Sequence, residues 1–216
     1  MSKTRLLLAT ALFAAGTLSA LAHPHVFVDA REEILFDASG KMTAIRHSWQ
    51  FDAAFTAFAV QGLDANGDGK LSDAELQPLA KVNVDSLKEY RYFTNLKVGS
   101  KHVPVNFPSE YWLDFHGGRL TLFYTLPLRT PVAPGPQATL EVFDPEYFVA
   151  FSFVKDHEIT LTGAPANCKA SVKPPHDLDD ATMAALAAIP ADQHDLPQEL
   201  ADAASSLSTL ITIRCT

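Results

Sequence analysis

The sequence predicts an α+β protein in which antiparallel strands form sandwich-like sheets, with an inserted helix–loop–helix and a short C-terminal helical segment. Three observations indicate this class. Residues 25–51 alternate apolar and polar side chains around a Gly-containing turn, as two antiparallel strands do. Residues 111–126 form a second predicted hairpin around Gly117-Gly118. Residues 52–92 place an acidic loop between two helical patterns, so we expect a helical insertion within a β-rich domain.

Capping and turn signals predict the helices and the remaining strands. Asp52 precedes an Ala- and Phe-rich run to Leu63 that predicts a helix, and the stretch from Asp73 to about Tyr92 predicts a longer one. Short apolar runs between turns predict further strands at 92–98, 102–105, 138–143, 148–153, 158–162 and 210–215. Evenly spaced strands with turn signals are typical of two packed sheets.

The segment 173–198 differs in composition from the rest of the chain because it is rich in Pro and Asp. We interpret it as a loosely packed connector that carries one short helix near 181–189, and we expect another helix at 198–207. Residues 23–216 are expected to form one domain, since their number suits a single domain with an inserted module.

The first 22 residues have the composition of a secretory signal peptide. Lys3 and Arg5 precede the apolar run 6–15, and Ala20-Leu21-Ala22 supplies the small-x-small cleavage pattern. The apolar run is shorter than the ~20 residues that span a bilayer. We therefore expect a periplasmic protein that begins at His23 and does not insert into the membrane after cleavage.

The charge of the chain bears on its partners. It has 25 acidic and 17 basic residues, for a formal net charge of −8. An acidic surface repels nucleic acid and anionic lipid but suits cations. No Ser/His/Asp, Cys/His or phosphate-loop arrangement stands out, so we expect no hydrolase or nucleotide chemistry.

The two cysteines, Cys168 and Cys215, are both near the C-terminus. In an oxidising compartment an even pair is typical of one disulfide. We expect it to join the last strand to the strand around Cys168; two buried free thiols are the alternative.

Residues 64–75 match the EF-hand calcium loop at every diagnostic position. Alternating side-chain oxygens converge on one ion, a glycine permits the sharp turn at Gly69, a backbone carbonyl and a water-mediated position follow, and a glutamate closes the site bidentately. The predicted ligands, in that order, are Asp64, Asn66, Asp68, Lys70, Ser72 and Glu75. A single loop in an exported protein suggests weak affinity, ~10⁻⁴ to 10⁻³ M, and a structural role.

A second candidate metal site lies at the expected mature N-terminus. His23-Pro24-His25 would place a free amine and two imidazoles together, and such nitrogen ligands suit zinc, nickel, cobalt or copper. Pro24 has no N–H to lose, which blocks square-planar binding through the backbone. Asp29 shares a strand face with His25 and is a further candidate ligand.

Three stretches together resemble a family of bacterial periplasmic proteins of poorly defined function. They are 22–30 (AHPHVFVDA), 45–52 (IRHSWQFD) and 144–148 (DPEYF). Members of that family are described as the periplasmic component of an uncharacterised transport system. The resemblance implies a partner, an inner-membrane transporter of the nickel/cobalt exporter type with zinc also proposed as cargo, and it makes 52–92 an insertion in the family pattern.

Two residues of these stretches are further candidate ligands. His47 shares a strand face with Trp49, so a core histidine and a metal ligand are both open interpretations. Asp144-Pro145 most simply makes a turn, and Asp144 could join the metal site only if the fold brings it near His23.

The sequence thus predicts a non-enzymatic metal-handling protein with bound Ca²⁺ and a divalent transition metal. One alternative is a copper-dependent oxidative enzyme that uses its N-terminal histidine. Another is a calcium-stabilised structural or adhesion module in which the histidines have no role.

Overall fold

The computed structural model describes residues 24–155, 158–190, 193 and 195–215. The predicted signal peptide and His23 lie outside these residues. In chain order the elements are β1 (Val26–Phe36), β2 (Met42–Phe51), α1 (Ala53–Ala59), α2 (Asp73–Leu87), a 3-10 turn (Arg91–Phe93), β3 (Thr94–Val98), β4 (Lys101–His102), β5 (Glu110–His116), β6 (Arg119–Val132), β7 (Ala138–Val142), β8 (Val149–Phe153), β9 (Ile159–Thr162), β10 (Cys168–Lys173), α3 (Asp180–Ala187), α4 (Gln198–Ser206) and β11 (Thr209–Cys215). Within the described ranges, no helix is long and apolar enough to span a bilayer.

The strands form two sheets, which confirms the predicted α+β, sandwich-like class. Sheet A has the order β5-β6-β2-β1-β8, with β9 also paired to β1, and sheet B has the order β10-β11-β7-β3-β4. Most neighbouring strands are antiparallel. The pairing of β1 with β8 and then β9, end to end along one edge, is parallel and was not predicted.

One continuous core joins the inner faces of the two sheets. In β1 the inward positions follow the predicted period of two, and Ala30 and Ile34 are fully buried. On α2 the buried residues Leu76, Ala80 and Val84 recur every four positions, so one face of this helix covers the core. The acidic loop that precedes α2 is therefore attached to a well-packed helix.

The helical insertion begins after Asp52 as predicted, but both of its helices end earlier than predicted. Helix α1 stops at Ala59, and a turn fills the four residues before Asp64. The outgoing helix α2 ends at Leu87 rather than near Tyr92. A turn follows, and then Arg91, Tyr92 and Phe93 adopt positive φ angles of 52°, 57° and 49°. A left-handed residue costs about 1–2 kcal/mol, and burial of the Tyr92 and Phe93 rings offsets that cost.

The segment 173–198 carries the predicted short helix, α3. Leu186 and Ile189 from this region pack with Ala204 of α4 in a second, smaller core. The predicted disulfide is confirmed: Cys168 and Cys215 are bonded to each other and lie opposite one another on β10 and β11.

Candidate metal-binding sites

The acidic loop 64–75 is shaped by its own carboxylates. Asp64 accepts hydrogen bonds at Oδ1 from the N–H groups of Gly67 and Asp68, at 2.8 and 3.1 Å, and at Oδ2 from Gly69 at 2.9 Å. Gly69 has a φ of 77°, which favours glycine at the turn. The residue predicted as the first calcium ligand therefore also folds the loop.

Glu75 closes the same loop from its other end. Its Oε1 accepts from the N–H of Ala65 at 2.9 Å, and its Oε2 accepts from the N–H and hydroxyl of Ser72 at 2.9 and 2.7 Å. Ser72 is the N-cap of α2, so this reciprocal capping box ties the start of the helix to the start of the loop. Hydrogen bonds from the Ser72 amide, then from its hydroxyl, hold the pKa of Glu75 below its usual value.

The remaining side-chain oxygens of the loop are also held by amides. Asn66 accepts from the N–H of Asp68, and Asp68 accepts from the N–H of Lys70, at 2.9 and 2.8 Å. These oxygen donors fit the preference of Ca²⁺ for carboxylate and carbonyl ligands. Across the described part of the chain, however, no three His, Cys, Asp or Glu side chains are grouped closely enough to hold an ion. In the described structure the loop carboxylates are thus held by backbone amides and are not gathered around one point.

His25 directly precedes β1, at one end of sheet A. Its N–H donates to the carbonyl of Phe148 at 2.9 Å, and the two rings pack with centroids 4.7 Å apart. Asp29, four residues along the same strand, forms an ion pair with Arg119 at 2.8 Å. Asp29 therefore already has a cationic partner.

His47 lies in the core, far along the sheet from His25. It is opposite Glu32 in the β1–β2 register. Glu32 is seven positions further along the chain than His25, or about 23 Å at about 3.3 Å per residue. His47 Nδ1 is 2.5 Å from Glu32 Oε2, and Nε2 is 3.3 Å from the hydroxyl of Thr94. Because both ring nitrogens are engaged and distant, the structure does not bring His47 to the N-terminal site.

The Glu32–His47 pair belongs to a buried polar network. Both side chains are fully buried, and Glu32 also accepts from Trp49 Nε1 at 3.1 Å. The ring of His47 stacks on Tyr124 with centroids 4.4 Å apart. Burial, followed by the charge of Glu32, raises the pKa of Tyr124 well above its usual value. Such a network fixes the relative positions of β1, β2 and β6, because each buried polar group must keep its partner.

Asp144 forms the predicted turn and is 4% exposed. Its two carboxylate oxygens accept from the N–H groups of Glu146 and Val149, both at 2.9 Å. Burial nevertheless raises its pKa, and these amide hydrogen bonds only partly oppose the effect. The carboxylate is thus a buried acid that shapes the loop leading into β8.

The described parts of the three stretches that carry the family resemblance contact one another at this end of sheet A. Asp52 caps α1 by accepting from Phe55 and also accepts from the N–H of Phe27, both at 2.9 Å. The loop 144–148 contacts the start of β1 through His25 and Phe148. Together they border a cavity of about 280 Å³ between the inner face of sheet A and α2, here called the apolar cavity; its walls include Val28, Trp49, Phe51, Phe93 and Phe148, with Asp144 also in the lining.

Sequence reasoning missed Glu32 and Arg119. Glu32 stands beside Glu33 in β1, and the pattern alone did not show which of the two acids faces inward. The usable signal was His47, since a buried histidine on one strand calls for an acidic or polar partner on the next.

The described residues form a two-sheet α+β protein. A disulfide lies at the edge of sheet B, and an acidic loop whose carboxylates accept backbone hydrogen bonds precedes α2. The chain belongs to the family described as a protein of unknown function, DUF1007, whose model matches residues 8–215.

Two relatives support this assignment. The chain is 33% identical over 98 residues to an "uncharacterized 15.5 kDa protein in trpE 3'region" of Spirochaeta aurantia, covering 45% of this chain and 70% of that protein. It is 22% identical over 161 residues to an "uncharacterized protein" of Haemophilus influenzae, covering 72% of this chain and 75% of that one.

Proposed function

We propose that this chain is a periplasmic metal-binding accessory protein. It would hold Ca²⁺ in the loop 64–75 and capture or present nickel, cobalt or zinc to an inner-membrane transporter. The observation that carries the proposal is the acidic loop, in which Asp64 and Glu75 already organise the two ends through backbone amides. The family resemblance and the expected signal peptide support the location and the partner.

The calcium site is proposed as structural. Glu75 lies in the first turn of α2, and that helix packs one face onto the core. An ion held by Glu75 and Asp64 would fix the start of this helix relative to the loop. It would add stability to the folded state by mass action, since the unfolded chain lacks the site.

The transition-metal site is proposed on the terminal amine and the imidazoles of His23 and His25. The structure supports a small ligand set, because His47 is paired in the core and Asp29 is paired with Arg119. A site with few protein ligands keeps open coordination positions, as exchangeable metal sites do. Such a site suits transfer of the ion to a transporter.

The calcium proposal is tested by thermal unfolding of the mature protein with and without 10 mM CaCl₂, a total of about ten to a hundred times the expected Kd. Binding at that affinity stabilises by roughly 1–3 kcal/mol, which raises Tm by roughly 3–10 °C for a chain of this size. Glu75→Gln should abolish the shift, whereas Glu89→Gln, at an exposed position after α2, should retain it. An unchanged Tm in the native protein would refute calcium binding.

The transition-metal proposal is tested by calorimetric titration of Zn²⁺, Ni²⁺ and Co²⁺ into the mature protein. His23→Ala/His25→Ala should lose most of the affinity. A matched variant, His102→Ala/His116→Ala, removes two exposed histidines elsewhere and should bind as the native protein does. Equal affinity in the two double variants would eliminate the N-terminal site.

A further inference from the structure

We propose that the apolar cavity binds a small organic cation, with an apolar body against its aromatic walls and an ammonium group on Asp144. This inference does not depend on metal binding. The cavity lies under α2, and its walls are contributed by β1, β2, β8 and the 91–93 turn. The loop 144–148 completes the lining with Asp144, Glu146 and Phe148.

The size and surface of the cavity favour a small apolar body. Its volume of about 280 Å³ is near the lower end of ordinary ligand pockets, about 300–1,000 Å³. An apolar cavity of about 150 Å³ already accepts benzene. Trp49, Phe51 and Phe93 present aromatic rings to the space, and such rings attract cations as well as apolar groups.

The charge requirement comes from Asp144. This residue is only 4% exposed, and it lines the cavity. No Lys or Arg of the described residues forms an ion pair with it. Buried carboxylates are normally paired with a cation, because burial disfavours an isolated charge. The carboxylate accepts hydrogen bonds from the backbone amides of Glu146, Val149 and Phe148, which leaves one of its four lone-pair sites for an ammonium group.

The surrounding electrostatics agree with this assignment. Glu146 also lines the cavity, and its charge is the first cause of the raised pKa of Tyr90, followed by burial and by the charge of Asp144. The cavity lining has no Lys, Arg or His among the described residues. A cation would therefore meet two acids and no opposing positive charge.

The test is calorimetric titration of hexylamine, 1-hexanol and hexanoate into the mature protein at pH 7.5, with Ca²⁺ present and no transition metal. These probes share one apolar chain and differ in the charge of the head group. We expect hexylamine to bind at least about tenfold more tightly than hexanol, since a hydrogen bond to a charged group adds that much. Hexanoate should not bind.

Two variants locate the binding. Asp144→Asn should lower the hexylamine-to-hexanol ratio, and Asp144→Asn/Glu146→Gln should reduce it to about one. Ser86 is an exposed residue of α2 that lines the cavity, so Ser86→Trp should fill the opening and abolish binding of both probes, while Ser86→Ala should leave it intact. If Asp144→Asn fails to fold, the ratio in the native protein and the Ser86 pair decide the question. Equal binding of hexylamine and hexanol to the native protein, binding that survives Ser86→Trp, or no binding at all would overturn the proposal.

Discussion

Glu32→Ala and Glu33→Ala remove neighbouring carboxylates that face opposite sides of β1. In the first variant, His47 Nδ1 and Trp49 Nε1 lose their buried partner. Each orphaned buried group costs about 1–3 kcal/mol, so we expect the free energy of unfolding to fall by roughly 3–5 kcal/mol, the range for breaking a buried pair. In the second variant, Arg46 loses its ion pair with Glu33. Both side chains of that pair are partly exposed, Glu33 at 25% and Arg46 at 37%. A surface pair contributes about 1 kcal/mol or less.

Urea denaturation at pH 7, followed by circular dichroism, measures both losses on one scale. The two variants share a strand, a residue type and a substitution, so each serves as the control for the other. The double variant Glu32→Ala/His47→Ala should lose less than the sum of its single changes, because the two residues interact directly. Equal losses from Glu32→Ala and Glu33→Ala would refute the view that the buried network stabilises sheet A.

Two more predictions concern pH and the disulfide. Burial tends to raise the pKa of Asp52, but backbone amides, first that of Phe27, lower it below the ordinary 3.8; its contribution is thus present above the unfolded pKa and lost as pH falls through the folded one. Asp52→Asn should therefore flatten the acid limb of a plot of unfolding free energy against pH, and an unchanged limb would contradict the assignment. Cys168→Ser/Cys215→Ser opens a 47-residue separation and should cost about 4 kcal/mol in urea denaturation, whereas a loss well under 1 kcal/mol would show that the strands hold this edge unaided.

The strands that alternate cleanly could be predicted from the sequence. Residues 26–34 and 45–51 bury every second side chain, and that pattern is local. The parallel partners of β1 could not be predicted in the same way, because Val26 pairs with Val149. A short apolar run such as 149–153 predicts a strand, but it does not show which other strand will be its neighbour in the sheet.

The candidate sites also differ in how far the local sequence predicts them. The order of oxygen-bearing residues from Asp64 to Glu75 is visible in the sequence, and the structure places them in one loop; whether they bind calcium stays a prediction. The surroundings of His47 and Asp144 depend on strand register and loop contacts. Only the fold shows that one lies opposite Glu32 and the other lines a cavity.

The parallel pairing of β1 with β8 and β9 affects the order in which the sheet can fold. β1 is among the first described segments to be synthesised, yet its partners extend to Leu161 and Thr162. Contacts between segments so far apart form slowly, because a long loop must close first. Until then, the hydrogen-bonding groups along that side of β1 remain unsatisfied and can pair with another chain. A polypeptide that ends before β8 should consequently aggregate instead of forming a smaller stable sheet.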